Sequence, residues 1–487
     1  MQKPNSNTNE DIQDILSDVC KSLEIVNGVT FKGVDIETNE SKFISNKYID
    51  LSDSRLIQAT LKFHIKSYSA INPSEMEEED ITIPLFFPKI VDNFYYQISG
   101  AKYYSILQIL DKGIYTTNKS LALKTLLMPI NFKSEEISVK SCKDSSVSYR
   151  NIIKVDLFKK QINILNYYVA KFGFNEALKY FGYDYTTCMV QHSEYDTRKD
   201  EAGIEWYDLG AKGKNRYGFV SDKFQEEWQQ TFLSNLINFI QSNKVTTQDI
   251  LDDNSSRWNK ILGKSFTSTN VHLMEDKAKS ILCSLERILD NRTKKNLVHI
   301  ADHDKEDSYA IMRWMFVFFK ELSNEENMDL KNKRLRLSEY LVYPLIRKFS
   351  DSTYRMLTLV KRINIGSLKT IFSNISPDFC IKKLITSKML RYSSSVNSFD
   401  MFIALKASQT GPQGLANAPG SELPVKYRGH HESYIGRVGM NACSAGDPGM
   451  TMTLTPFVKT DGFFFSTEKE YQTTFVKPES PEVAPDA

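Results

Sequence analysis

The spacing of apolar residues changes period along the first hundred positions. Ile12, Ile15, Leu16, Val19 and Leu23 recur at helical intervals and predict a helix from Asp11 to Val26. Leu61, Phe63 and Ile65 then alternate with Lys62, His64 and Lys66, the period of a half-buried strand. The run Glu75 to Asp80 reads as a solvated acidic loop. Ile83 to Pro88 and Phe94 to Lys102 read as two short strands around a turn at Asp92 and Asn93.

From about 120 to 325 the texture is different. Three apolar stripes at helical spacing stand out. The first is Leu157, Phe158, Ile162, Leu165, Val169 and Phe172; the second is Trp228, Phe232, Leu236, Phe239 and Ile240. The third is Ala278, Ile281, Leu282, Leu285, Ile288 and Leu289. Glu201 to Tyr217, rich in glycine and aromatic residues, reads as loops between strands. The pattern predicts a multidomain α+β chain in which 121–325 is a mainly helical insertion. Residues 1–12 read as a flexible start. The tail 471–487 is disordered by composition.

Composition narrows the class. The 487 residues are 25% charged and 41% hydrophobic, as in soluble globular proteins. Sixty-two basic against 60 acidic residues leave a net charge of +2, so any nucleic-acid contact must be a local patch. The six cysteines, at 20, 142, 188, 283, 380 and 443, form no short-spaced pair, which argues against a zinc site or disulfide framework. No apolar run reaches the ~20 residues of a membrane helix.

Four stretches carry candidate chemistry. His299 to Asp304 reads either as a metal-binding pair of imidazole and carboxylate or as the polar entrance of a helix from Tyr309 to Leu322. Lys331, Lys333, Arg334 and Arg336 put four cations in six residues, read either as a solvated face or as a phosphate contact. Lys406, Ser408, Gly411, Pro412 and Gly414 make a short Gly-Pro segment. Lys426 to Phe465 mixes Arg428, His430, His431 and Arg437 with Gly436, Gly446, Pro448 and Gly449, which suits close approach to phosphate.

The last stretch resembles the fork region of the β subunit of multisubunit RNA polymerases. His431, Ser433, Tyr434, Gly436-Arg437, Asp447-Pro448-Gly449 and Gly462-Phe463 occupy the places of that signature. Three more resemblances precede it in the family's order. Pro84-Leu85, Phe94, Ile98 and Gly100 are similar to an early β-subunit motif, although Lys102 stands where the family usually has an acid. Asp329, Asn332, Lys333, Arg334 and Arg336 resemble an Asn-x-Arg-x-Arg motif that lacks its glycine here. Ser408, Gly411, Pro412 and Gly414 resemble the end of the rifamycin-pocket region.

The resemblance implies protrusion-like domains at 13–120 and 326–400, a lobe-like insertion between them, and a fork region at 401–470. It implies helices from Tyr103 to Leu110 and from Leu337 to Lys361. It also implies the N-terminal half of a split β subunit, as in giant-bacteriophage polymerases acting in the cytoplasm of an infected bacterium. Its partners would be a C-terminal β fragment, β-prime fragments, a promoter-specificity subunit, DNA template and RNA transcript. Magnesium would be bound by another subunit, because the Asp-x-Asp-Gly-Asp loop of that family is absent here. Lys333, Arg334, Arg336, Lys406, Ser408, Arg428, His431 and Arg437 would be its nucleic-acid contacts. Two rivals remain at this level: a stand-alone promoter-recognition protein, which binds DNA without partners, and a virion structural protein, which assembles with no β-prime-like chain. The missing loop predicts that the purified chain, given template, nucleotides and magnesium, makes no RNA; template-dependent product would overturn this.

Overall fold

Twenty-one strands and the helices between them make up the described part of a computed structural model. The structure describes residues 8–38, 53–69, 75–91, 95–111, 113–117, 120–140, 147–191, 203–208, 216–267, 271–301, 307–323, 329–330, 333–336, 339–358, 360, 363–386, 390–392, 397, 407–410, 431–439, 451–455, 458, 460–461 and 464–465. In chain order the first strands are β1 Val29–Glu37, β2 Leu56–Tyr68, β3 Met76–Pro88, β4 Ile90–Val91, β5 Tyr95–Ile98, β6 Ala101–Ser105 and β7 Leu107–Asp111. Next come β8 Ile114–Thr117, β9 Ser120–Leu123, β10 Ile130–Lys140, β11 Val147–Leu157, β12 Lys160–Asn163, β13 Met189–Gln191, β14 Ile204–Asp208 and β15 Arg216–Val220. The last six are β16 Lys333–Arg336, β17 Leu390–Tyr392, β18 Ala407–Thr410, β19 Thr451–Thr453, β20 Thr460–Asp461 and β21 Phe464–Phe465. They form five sheets, ordered β1-β2-β3, β12-β11-β10-β9-β8, β13-β15-β14, β19-β18-β7-β16-β21-β20 and β17-β6-β5-β4.

The largest apolar core draws its residues from between Ile12 and Leu390. The ring of Phe63 on β2 lies 5.6 Å from Phe31, 4.8 Å from Phe372 and 6.4 Å from Phe349, so helices Glu339–Thr358 and Ile365–Phe372 are seated on the first sheet. Such ring contacts add to area burial by about 0.5–1.5 kcal/mol each. Helix Glu227–Asn243 crosses β11 and carries the buried Asn235. The Asn235 carboxamide accepts from Ile153 N (3.0 Å) and donates to Ile153 O (2.9 Å). It thereby pairs β11 where β12 no longer runs alongside.

Local physics overrides several sequence expectations. The acidic run is strand, not loop: β3 pairs with β2 from Met76 opposite Tyr68 to Pro88 opposite Leu56. Its carboxylates find partners: across the ladder Asp80 lies 2.7 Å from the His64 ring and Glu78 pairs with Lys66, and from helix Ile365–Phe372 Lys369 reaches Glu79 at 2.5 Å. The Lys66 ammonium holds the Glu78 carboxyl below the usual range. As an edge strand, β3 carries these exposed charges against unwanted strand pairing. Tyr103 to Leu110 is likewise not helical. Ser99 (φ 48°) and Gly100 (φ 75°) form a two-residue hairpin turn that folds β5 back into β6.

The stripe starting at Leu157 is half strand. Phe158 (φ 54°) and Lys159 (φ 58°) turn β11 into β12, and the helix begins only at Ile164, capped by Asn163, whose side chain accepts from Leu165 N at 3.1 Å. Glu227–Asn243 and Val271–Glu286 follow the other two stripes. Ser308–Val317 and Phe319–Ser323 divide at Phe318 the helix expected from Tyr309 to Leu322; the Asp307 carboxylate caps its start. Glu339–Thr358, with Pro344 inside, is the helix expected from Leu337 to Lys361. The turn at Asp92 and Asn93, His303, Asp304 and the tail 471–487 lie outside the described residues.

One buried cation ties the middle of the chain to the segment after helix Glu339–Thr358. Lys277, 8% exposed, donates from Nζ to Val360 O at 3.1 Å. Burial pulls its ammonium from 10.5 down to about 8. Between about pH 8 and 10.5 the unfolded chain keeps this proton while the folded chain loses it. Stability at this site therefore rises with pH across that window, by at most roughly 3 kcal/mol. In Lys277→Met that rise is absent. The stability difference, variant minus parent, should fall by roughly 1–3 kcal/mol between pH 7.5 and 10 in urea denaturation; a difference that stays constant refutes the assignment.

Candidate nucleic-acid interface

The four sequence signatures are far apart in the chain, and parts of three of them meet on one mixed sheet. Its centre is β7, which follows directly on the early motif. On one side β16 runs antiparallel, with Lys333 opposite Asp111, Arg334 opposite Leu110, Leu335 opposite Ile109 and Arg336 opposite Gln108. On the other side β18 runs parallel, with Ser408 opposite Leu107 and Gln409 opposite Gln108. β19 then pairs with β18, Ser408 opposite Met452, and β21 with β16, Arg334 opposite Phe464.

A second, small core lies against this sheet: Ile109, Leu330, Leu335, Tyr434, Val438 and Leu454. It seats the Gly-Arg loop. The turn Glu432–Tyr434 begins at His431, whose Nδ1 accepts from Ser433 N at 3.1 Å. The Ser433 hydroxyl lies 2.8 Å from the same nitrogen and itself accepts from Leu330 N at 3.0 Å. With its proton spent on His431, Nδ1 is an acceptor and the ring proton sits on Nε2. Arg437 donates from Nη1 to Ser433 O (2.9 Å), and Thr455 fastens the loop from below through N to Arg437 O (2.9 Å) and Oγ1 to Gly436 O (2.7 Å). Gly436 sits at φ 73°, where a side chain is strained.

The candidate residues fall into three groups. Lys333 and Arg334 are 7% and 9% exposed, so these two residues are sheet interior and are not part of a solvated face. Ser408 is fully buried beside Leu107, and His431 and Arg437 are partly buried and structure the loop. Arg336 is placed by its backbone at the end of β16; Lys406 and Arg428 lie outside the described residues. Sequence reasoning missed Gln108, fully buried between β16 and β18. Its one signal was a lone amide in the run Ile106 to Leu110. Among the described residues no group of three or more His, Cys, Asp or Glu is placed to hold a metal ion, and no helix is long and apolar enough to cross a membrane.

Ser433 is the link between the Gly-Arg loop and the basic strand's approach. Removing its hydroxyl leaves both the Leu330 amide and His431 Nδ1 without this partner, at a cost of about 1–3 kcal/mol. In Ser433→Ala the Leu330 amide should exchange with solvent at least roughly tenfold faster. An unchanged rate would show that the bond to Leu330 carries no weight.

No curated protein matches the chain. A family model described as "Non-virion RNA polymerase subunit" matches residues 6–477. With nearly the whole length matched, and with the polymerase-like signatures drawn together on one sheet, the chain belongs to the non-virion RNA polymerase subunit family.

Proposed function

We propose that this subunit is the N-terminal part of a split β chain and forms one side of the nucleic-acid cleft of its polymerase. The observation that carries this reading is the meeting of three segments, around 110, 335 and 408, in one sheet, with Tyr434, Val438 and Leu454 packed against it. A chance match of motifs gives no reason for such distant segments to be neighbours. In this reading the chain joins a C-terminal β fragment, β-prime fragments and a promoter-specificity subunit, and works in the cytoplasm of the infected host.

The division of labour follows from the residues. Nucleotidyl transfer uses two magnesium ions to activate the attacking hydroxyl and stabilise the leaving pyrophosphate. This chain lacks the Asp-x-Asp-Gly-Asp loop, so the metal ligands belong to a partner. Its own residues hold and orient nucleic acid. The sheet and the loop Glu432–Gly436 form a stiff wall, and Arg336, Lys406 and Arg428 are the cations that reach phosphate, along the hybrid and at the downstream fork. Lys333, Arg334 and Ser408 act from beneath, by fixing the strands that present them. The protrusion-like and lobe-like division of residues 13–400 is part of the same proposal.

The test is template binding by the assembled enzyme over a range of salt. Arg336→Gln with Lys406→Gln should lower the salt slope by roughly one unit per lost contact, and about equally on unrelated sequences. Mass identification of the co-purified subunits establishes assembly in the same preparation. Full assembly with unchanged slope and affinity would remove these residues from the interface; a chain that co-purifies with no polymerase subunit would remove the cleft assignment.

A further inference from the structure

The sheet β17-β6-β5-β4 has one face in the main core, through Tyr96, Ile98 and Leu390. Its other face is built differently. Arg391 is opposite Tyr104, and Val91 is opposite Tyr95. The pairing of Tyr96 with Tyr103, carried one step on, sets Tyr104 opposite Tyr95. One row across this face therefore reads Arg391, Tyr104, Tyr95, Val91, and the next carries Lys102 opposite Gln97. Arg391 and Lys102 are exposed, and Lys102 Nζ lies 4.7 Å from the centre of the Tyr95 ring. No acidic residue occurs in either row. Tyr104 is 2% exposed, belongs to none of the three apolar cores, and its buried hydroxyl has no hydrogen-bond partner among the described residues. A buried hydroxyl in that state calls for an explanation.

We propose that this face binds a single strand of nucleic acid. The chemistry on it is the set such strands require: cations for successive phosphates and aromatic rings whose faces accept bases of any sequence. Lys102 and Arg391 take phosphates. When Lys102 moves from the ring to the backbone, the Tyr95 face accepts a base. An acidic protein segment would satisfy the two cations but make no use of the ring that Lys102 covers, so single-stranded nucleic acid is the better fit.

The inference rests on the reading that this subunit touches nucleic acid, and the experiment separates the two. Labelled 12-nucleotide oligo-dT and oligo-rU are titrated against the full chain, with polyglutamate as competitor. The variants are Lys102→Glu with Arg391→Glu, Tyr95→Leu, and the cleft pair Arg336→Gln with Lys406→Gln. Both oligomers should bind. The charge reversal should lower affinity at least roughly tenfold and reduce the salt slope by about 1.4, since each phosphate contact on a single strand contributes roughly 0.7. Tyr95→Leu should cost about tenfold with the slope unchanged, a stacking loss that a merely electrostatic patch would not show. Preference for one oligomer assigns the face to DNA or to RNA. Unchanged binding in both sheet variants, or displacement by polyglutamate as effective as by oligonucleotide, overturns this inference. If at the same time the cleft pair weakens binding and the chain assembles normally, the cleft assignment stands alone. Circular dichroism of each variant keeps misfolding out of the comparison.

Discussion

The placement of β7 between two strands from distant parts of the chain is the constraint on which the rest depends. A five-residue strand at Leu107–Asp111 has its backbone groups satisfied on one edge by residues 333–336 and on the other by 408–410. Left unpaired in a buried place, each such group costs on the order of a lost hydrogen bond. Neither neighbour can shift register without turning its side chains to the other face. Leu335 and Ile109 must face the small core, so Arg334 must face the other way, beside Leu110 and opposite Phe464. The loop with Tyr434 and Val438 can then close on that core.

This arrangement explains why cations occupy buried strand positions at all. A lone buried charge is costly, and hydrophobic residues would pack the sheet more cheaply. Neither Lys333 nor Arg334 is such a lone charge, since each has an interaction partner in the fold, and the strand fixes the backbone of Arg336 opposite Gln108. Over the chain 62 basic residues are nearly balanced by 60 acidic ones, leaving a net charge of +2. Attraction to nucleic acid is local here and is sharpened by position, not by total charge.

The remainder of the chain builds a support of unusual continuity. One core with residues from Ile12 to Leu390 joins the first sheet, the five-stranded sheet and the helices after it. Polar side chains complete the joints. Asn235 pairs the backbone of Ile153, the buried Ser284 hydroxyl donates to Ile25 O at 2.8 Å, and Asp290 Oδ2 accepts from Leu126 N at 2.9 Å. Each spans a long stretch of sequence, so the sheets are held at defined positions relative to one another.

The sequence by itself determined the elements whose signal is local. The helices around Ile15, Leu236 and Ile281 follow from 3.6-residue spacing, and β2 follows from strict alternation. It also determined the class of protein, because the motifs around Pro84, Arg334, Ser408 and Arg437 occur in order. The tertiary structure alone decided where those motif residues sit. Lys333 and Arg334 look like a solvated basic run until two partner strands bury them, and no window of sequence contains those partners. Tyr103 to Leu110 has helical-looking density of apolar residues, yet the turn at Ser99 and Gly100 and the waiting edges of β16, β17 and β18 make it strand. Glu75 to Asp80 has the composition of a loop, and cations 12 to 290 residues away allow it to pair. Strand pairing and charge compensation are non-local, so sequence spacing reports them only after the fold has brought the partners together.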